Sequence, residues 1–336
     1  KINNNKYLKF MKAIIIGSNS FYGSHFAKLL LKKKFNVVGI SRSKIKKKHF
    51  LPFDKNTKNF KFLKMDLNTD LSKVLGFIKK YRPNYIINFS SQSMVSESWK
   101  HPQDWFLTNS YSVPSLYGML NNLKFKFRLV HISTPEIYGS TKGVISEDEK
   151  FNPTTPYAIS RVNADFFLKS LNKEFKFDFV GTRAANIYGE HQDLYRIIPR
   201  TIYSIINNKK LLLHGGGASI RSFIHIKDVC EATYKIMKSK NNSGEFYHIS
   251  SKNYISIRNL VELICKIYNY DYLKLVTNSE DRVGKDKFYK LDIKKIEKLG
   301  WNSKISLYAG IKKTGDWLIK NKNKFIKNEL NYLHKK

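Results

Sequence analysis

At 336 residues with 42% hydrophobic side chains, the chain holds enough apolar surface for one large or two ordinary domains, and nothing in its composition marks a fibrous or disordered protein. Cysteines 230 and 265 are too few for a disulfide framework or a cysteine-ligated metal site, and no apolar run nears the about 18 residues of a membrane span. The formal charge of +35 is spread along a chain rich in Asn, Ile, Tyr and Phe, so it reads as compositional bias that attracts polyanionic substrates, with no specific nucleic acid and no membrane as partner.

The first ten residues, KINNNKYLKF, lack the apolar stretch of a signal peptide and read as an extension, which together with the scarce cysteines predicts a cytoplasmic protein. From Met11 a strand is expected at Ala13–Ile16, followed by Gly17-x-x-Ser20-x-x-Gly23 and a helix. A strand running through a glycine-punctuated turn into a helix holds a dinucleotide pyrophosphate on free N–H groups. Gly17, Ser20, Phe21, Tyr22 and Gly23 are therefore expected to bind a cofactor. Ser20 stands where a glycine is usual.

The second strand, Val37–Ile40, ends in Ser41-Arg42-Ser43 with no acid. An acid at that place favours NAD and an arginine accommodates a 2′-phosphate, so Ser41 and Arg42 predict NADP, with NAD as the alternative. Strands follow at Lys61–Met65, Tyr85–Phe89, Leu129–Ser133 and Phe177–Thr182, separated by helical periods. Repeated βα units of this kind predict an α/β fold, a Rossmann-type doubly wound parallel sheet. Thr134 and Glu136 follow the fifth strand, and Tyr157 and Arg161 lie four apart on the next helix. That spacing puts a phenol and a fixed cation on one face, an arrangement that lowers the phenol's pKa toward use as a base.

Beyond Ile187 the pattern becomes mixed, with Gly215-Gly216-Gly217 as a hairpin or turn and helices at Asp228–Met237 and Ile257–Tyr268 returning to the main body. The expected division is an extension at 1–10, a dinucleotide-binding domain at 11–186 joined by 222–265, and a smaller, discontinuous substrate lobe from 187–221 and 266–330. No histidine pair has metal-ligand spacing, and no metal is implied.

Several segments together resemble one family. These are the turn at 17–23, Thr108-Asn109, ISTPEIYG at 132–139, NPTTPYAISR at 152–161, NIYG at 186–189, IRSFIHIKDV at 220–229 and DRVGKDKFYKLDIKKIEKLGW at 281–301. Over nearly its whole length the chain resembles an extended short-chain dehydrogenase/reductase, and within that superfamily the nucleotide-sugar 4,6-dehydratases of the dTDP-glucose type.

The resemblance implies a lyase with tightly bound NAD(P) that converts a nucleoside-diphosphate hexose to its 4-keto-6-deoxy form by internal hydride transfer. It assigns Tyr157 as the base at the C4 hydroxyl, Thr134 as its partner and Glu136 as the base at C5. Arg161 stands where the superfamily has Lys, and Pro135 where the dTDP-glucose enzymes carry an acid. Asp66 and Leu67 match the adenine-contact pair, and Ser90 and Ser91 the small residues beside the cofactor. Gln92, Ser93, Asn186, Arg196, Arg221 and Arg282 match substrate contacts, the last in the segment that reaches the diphosphate. A homodimer through helices Asp104–Asn121 and Tyr157–Lys173 is implied as well. An epimerase or decarboxylase of the same superfamily is the nearest alternative, and a non-catalytic dinucleotide-binding or nucleic-acid-associated protein a further one.

Overall fold

A computed structural model describes residues 10–280, 288–325 and 327–335, so most of the expected extension, and Arg282, lie outside the described residues. Seven parallel strands form the central sheet: β1 (Lys12–Ile16), β2 (Asn36–Ser41), β3 (Phe60–Lys64), β4 (Tyr85–Asn88), β5 (Arg128–Ile132), β6 (Phe179–Ala184) and β7 (Glu245–Ile249), in the order β7-β6-β5-β4-β1-β2-β3. The order reverses between β1 and β4, which is where a doubly wound sheet opens a crevice at its carboxyl edge. Ile14 lies between Val38 and Ile86 in register, and the central strands are apolar throughout because both faces are covered.

On one face pack Phe26, Leu30, Val130, Val229 and Ile236, and on the other Ile14, Ile86, Leu116, Leu129 and Leu168. Six of the strands match the sequence reading within two residues. The seventh, EFYHI, escapes it because Glu245 and His248 interrupt its apolar pattern and it pairs only with β6. The sixth begins later than expected, since Phe177 belongs to the link from the preceding helix, where its carbonyl accepts from Asn172 Nδ2 at 2.9 Å.

The remaining strands make three small sheets. Asn186–Tyr188 and Tyr254–Ser256 flank Ile220–His225, Leu211–His214 pairs with Val276–Ser279, and Val144–Ile145 pairs with Lys290–Leu291. Gly215–Gly217 is a turn and not a hairpin, because the strands on either side of it take other partners.

Two expected boundaries move. Helix Ile257–Ile267 does not return to the central sheet, because Leu260, Val261 and Ile264 pack with Ile198, Ile202 and Leu318 in a third core. Conversely, Tyr289, Leu291, Ile296 and Trp301 lie in the core of the central sheet and not in the smaller lobe. No helix among the described residues is long and apolar enough to cross a membrane.

Candidate active site

Glycine is needed at two points of the first turn. Gly17 has φ +80°, and a Cβ there would stand 2.6 Å from the Phe89 carbonyl carbon and the Ser90 nitrogen; at Gly23 it would stand 2.4 Å from the Gly17 carbonyl oxygen. The loop after β4 can lie against the turn only because Gly17 has no side chain, and the helix can start so close to the turn only because Gly23 has none. Ser20 caps helix Phe21–Lys32 by accepting from Gly23 N at 3.0 Å, so the serine in the middle position holds the helix end whose N–H groups face a phosphate. Gly17→Ala is expected to raise the cofactor Kd more than about tenfold and to lower stability by over about 1 kcal/mol, measured by titration and thermal melting.

Tyr22 corrects the sequence reading. Its ring is buried, and its hydroxyl bonds Thr233 and the Val229 carbonyl on helix Ile226–Lys238, so the side chain packs two helices together and does not face a cofactor. Phe21, half-buried, sets its ring edge-on to His25 at 5.1 Å. Ser41 has its hydroxyl engaged by Asn19 N at 3.0 Å, while Asn19 Nδ2 donates to the Ser43 and Lys44 carbonyls at 3.1 and 2.9 Å. Asn19, which sequence reasoning passed over, thus ties the glycine turn to the loop carrying Arg42. Arg42 reaches across the crevice to Gln92 Oε1 at 3.5 Å.

Asp66 Oδ1 accepts from Asn68 N at 3.0 Å, and Leu67 is buried in the core. Ser90 donates to Asn88 Oδ1 from both its backbone and its hydroxyl, at 2.9 and 2.5 Å. Ser91 is half-buried beside it and Ser93 is exposed. Gln92 exchanges backbone bonds with the side chain of Asn109, which also donates to Ser160 Oγ at 2.9 Å. Asn109 lies in Phe106–Ser112, a widened π-helical stretch that interrupts the continuous helix expected over 104–121.

β5 ends at Ile132, and Thr134 caps the short turn Pro135–Tyr138 by accepting from Glu136 N at 3.2 Å. Pro135 fits this turn because its missing N–H falls where no bond is made. Thr155 caps helix Pro156–Phe175 by accepting from Ala158 N at 3.1 Å. Tyr157, only 8% exposed, lies within reach of the Thr134 hydroxyl and of the charges of Arg161, Glu136 and Arg196. Burial pushes its phenol up; Arg161, the Thr134 hydroxyl and Arg196 pull it down, Glu136 opposes them, and the balance stays above the ordinary tyrosine value. One cation at helical spacing is therefore insufficient by itself, which corrects the expectation drawn from Arg161 alone. Buried Arg161 donates to the Ile132 carbonyl, and its Nε has no partner among the described residues.

Below this cluster runs a buried hydrogen-bonded chain. Asn88 Nδ2 donates to Tyr117 Oη at 2.7 Å, Tyr117 meets His131 Nδ1 at 2.6 Å, and His131 Nε2 meets Asp165 at 3.1 Å. Asp165 also accepts from Ser133 at 2.8 Å and pairs with Arg183 at 2.9 Å. Burial, more than the opposing Asp165, keeps His131 low and neutral.

In the smaller lobe, Asn186 and Phe223 are paired residues on neighbouring strands, which brings Arg221 near. Tyr289 donates to Asn186 Oδ1 at 3.2 Å and lies under the Arg221 guanidinium at 5.1 Å. Tyr289 is a further contact that the sequence reading did not single out. Arg196 stands just before helix Ile197–Ile206 and sits over the Tyr195 ring at 5.3 Å.

A buried phenol, a carboxylate and a cation thus stand below a glycine cradle and beside an arginine-lined lobe, an arrangement suited to oxidising a sugar hydroxyl and moving a neighbouring proton. The Gly17–Gly23 cradle and the unpartnered Arg161 N–H both fit a dinucleotide.

Comparison with known proteins gives the family. The GDP-mannose 4,6 dehydratase family model matches residues 14–314. An uncharacterised Schizosaccharomyces pombe protein is 31% identical, over 90% of this chain and 96% of its own. The dTDP-D-glucose 4,6-dehydratase of Homo sapiens is 29% identical, over 92% of this chain and 90% of its own. A crystal structure of the Streptomyces venezuelae dTDP-glucose 4,6-dehydratase with NAD bound superposes with a TM-score of 0.84 at 25% identity, covering 94% of this chain and 99% of that one. The chain belongs to the GDP-mannose 4,6-dehydratase family, the NAD(P)-dependent nucleotide-sugar dehydratases of the extended short-chain dehydrogenase/reductase superfamily.

Proposed function

We propose that the protein removes water from a nucleoside-diphosphate hexose to give the 4-keto-6-deoxy sugar, with Thr134, Glu136, Tyr157 and Arg161 as the catalytic set. The observation that carries this is Glu136, whose backbone N–H bonds the Thr134 hydroxyl and whose carboxylate lies within electrostatic reach of Tyr157, because oxidation at C4 alone requires no carboxylate there. NAD(P), which the Gly17–Gly23 turn would hold, would supply the hydride acceptor for C4 and the hydride donor for C6.

Tyr157 takes the proton of the C4 hydroxyl, Thr134 orients that oxygen, and Arg161 stabilises the phenolate. The C4 ketone acidifies C5–H, and Glu136 removes that proton. In the turn Thr134–Tyr138 the other residues offer no carboxyl, so Glu136 returns the proton to the C6 oxygen as it leaves as water, and the proton that Tyr157 took from the C4 hydroxyl balances the one C5 regains when hydride adds at C6. Arg196 and Arg221, with Asn186 and Tyr289, hold the diphosphate; guanidinium forks match phosphate oxygens. Arg282, outside the described residues, is proposed for the same role from its sequence segment.

Arg42, with no acid nearby in its loop, supports NADP over NAD. Exposed Phe106, Tyr111, Ile159 and Phe166 on the two helical segments at 102–121 and 156–175 support a homodimer. The free, buried thiols of Cys230 and Cys265 fit a reducing cytoplasm.

Incubating the protein with dTDP-glucose, UDP-glucose, GDP-mannose, CDP-glucose and UDP-GlcNAc and weighing the products tests the reading. Loss of about 18 Da from one of them is expected, since hydride returns to the product and only water departs. An unchanged mass with an inverted C4 would replace the dehydratase with an epimerase.

A further inference from the structure

The segment from Glu329 to Lys335 is fastened across the crevice and does not trail from the body. Glu329 pairs with Lys47 at 2.9 Å, the Leu330 carbonyl accepts from Arg200 Nη1 at 3.2 Å, and the Tyr332 ring meets Tyr195 edge-on at 5.4 Å. His334 stacks on His101 and Trp105 with ring centres 4.7 and 5.2 Å apart, and its Nε2 bonds Asp104 at 2.6 Å. The Lys335 carbonyl accepts from Gln92 Nε2 at 2.7 Å, and its ammonium reaches Ser43 Oγ at 3.4 Å.

These contacts touch the loop after β2 that carries Arg42, the loop after β4 that carries Gln92, and the helix that Arg196 precedes. Each is a wall of the proposed cofactor and sugar-nucleotide site. Tyr332 lies between them: burial pushes its phenol up while Arg42 and Arg196 pull it down, which places the ring within reach of both guanidinium groups. Trp105 is fully buried beneath the His334 stack, so the contact is a packed interface.

We propose that this segment is a strap that closes the crevice over the adenosine end of the dinucleotide, and that Lys335 joins Arg42 and Ser43 to bind a ribose 2′-phosphate. The inference rests on the reading of the Ser41-Arg42-Ser43 loop as the place where the 2′ position is read. Between Ser41 and Phe53 that loop contains no acid, so nothing in it competes with a phosphate for the two cations. A phosphate of nearly two negative charges matches a guanidinium fork, an ammonium and a hydroxyl on adjoining segments: the Lys335 ammonium lies 3.4 Å from Ser43 Oγ, and Arg42 and the Lys335 carbonyl both bond the Gln92 side chain.

Titrating NADPH and NADH into the full-length protein by fluorescence quenching tests the strap with no turnover needed. Lys335→Ala is expected to weaken NADPH about tenfold, one charge-assisted bond, and to leave NADH unchanged. Ending the chain after Phe325 is expected to speed release of both dinucleotides in stopped flow, because the cover itself is gone. A wild-type preference for NADPH that Lys335→Ala leaves intact overturns the role of Lys335 alone. A wild-type preference for NADH overturns the reading of Arg42 and, with it, that of Lys335. Unaltered release rates in a folded truncated chain overturn the strap.

Discussion

Tyr157→Phe is expected to lower kcat about a thousandfold while leaving cofactor and sugar-nucleotide affinity within about twofold of wild type. The change removes one oxygen, and that oxygen lies within reach of the Thr134 hydroxyl and of the charges of Arg161, Glu136 and Arg196. Without it the C4 hydroxyl has no base, so hydride transfer stalls although the cradle at Gly17–Gly23 is intact. Isothermal titration and single-turnover product analysis separate binding from chemistry. Retention of more than about a tenth of the rate would show that Tyr157 is not the base. Burial, the largest influence on Tyr157, favours the neutral phenol, so wild-type kcat/KM is expected to rise with pH as the phenolate forms. Arg161 and Arg196 bring that rise to lower pH, and the pH-dependent limb disappears in Tyr157→Phe.

How far the sequence discloses the site depends on which interaction places each residue. Gly17, Gly23, Thr134, Glu136, Tyr157 and Arg161 follow strand ends or share a helix face, so local spacing reveals them. Asn19 and Tyr289 do not, because their roles arise from contacts with Ser43 and Asn186 that only the folded chain makes, and Asn109, whose motif is recognisable, shows its bond to Gln92 only in the fold. Tyr22 errs the other way: its place in the cradle suggests a cofactor contact, yet tertiary packing against Thr233 claims its side chain. Lobe boundaries were legible only in part, since a chain that crosses between bodies leaves no mark in composition. Helix Ile257–Ile267 has the same amphipathic pattern whichever core receives it.

Asp165→Ala is expected to destabilise the fold by about 3–5 kcal/mol, because it strands the Arg183 charge in the interior. Arg183 is 2% exposed and Asp165 1%, and the guanidinium also lies 4.1 Å over the Phe246 ring, with no route to water that keeps this packing. The same carboxylate holds His131 and Ser133, so its loss also releases the end of β5, from which Thr134 reaches Tyr157. Reduced kcat in the surviving folded fraction is therefore expected along with the lower melting temperature.

The pair also sets an acid limit. Burial alone raises the carboxyl pKa of Asp165, but Arg183, His131 and Ser133 outweigh it and hold the group below its ordinary value. A carboxylate depressed in the folded state contributes stability that is complete above its unfolded pKa near 4 and lost as pH falls through the folded one. Wild-type stability is thus expected to fall steeply below about pH 4, and Asp165→Ala to lack this component of the slope. Adding Arg183→Met to Asp165→Ala removes the stranded charge and is expected to restore much of the loss in urea melts, whereas additive losses would show that the pair is not what stabilises this layer.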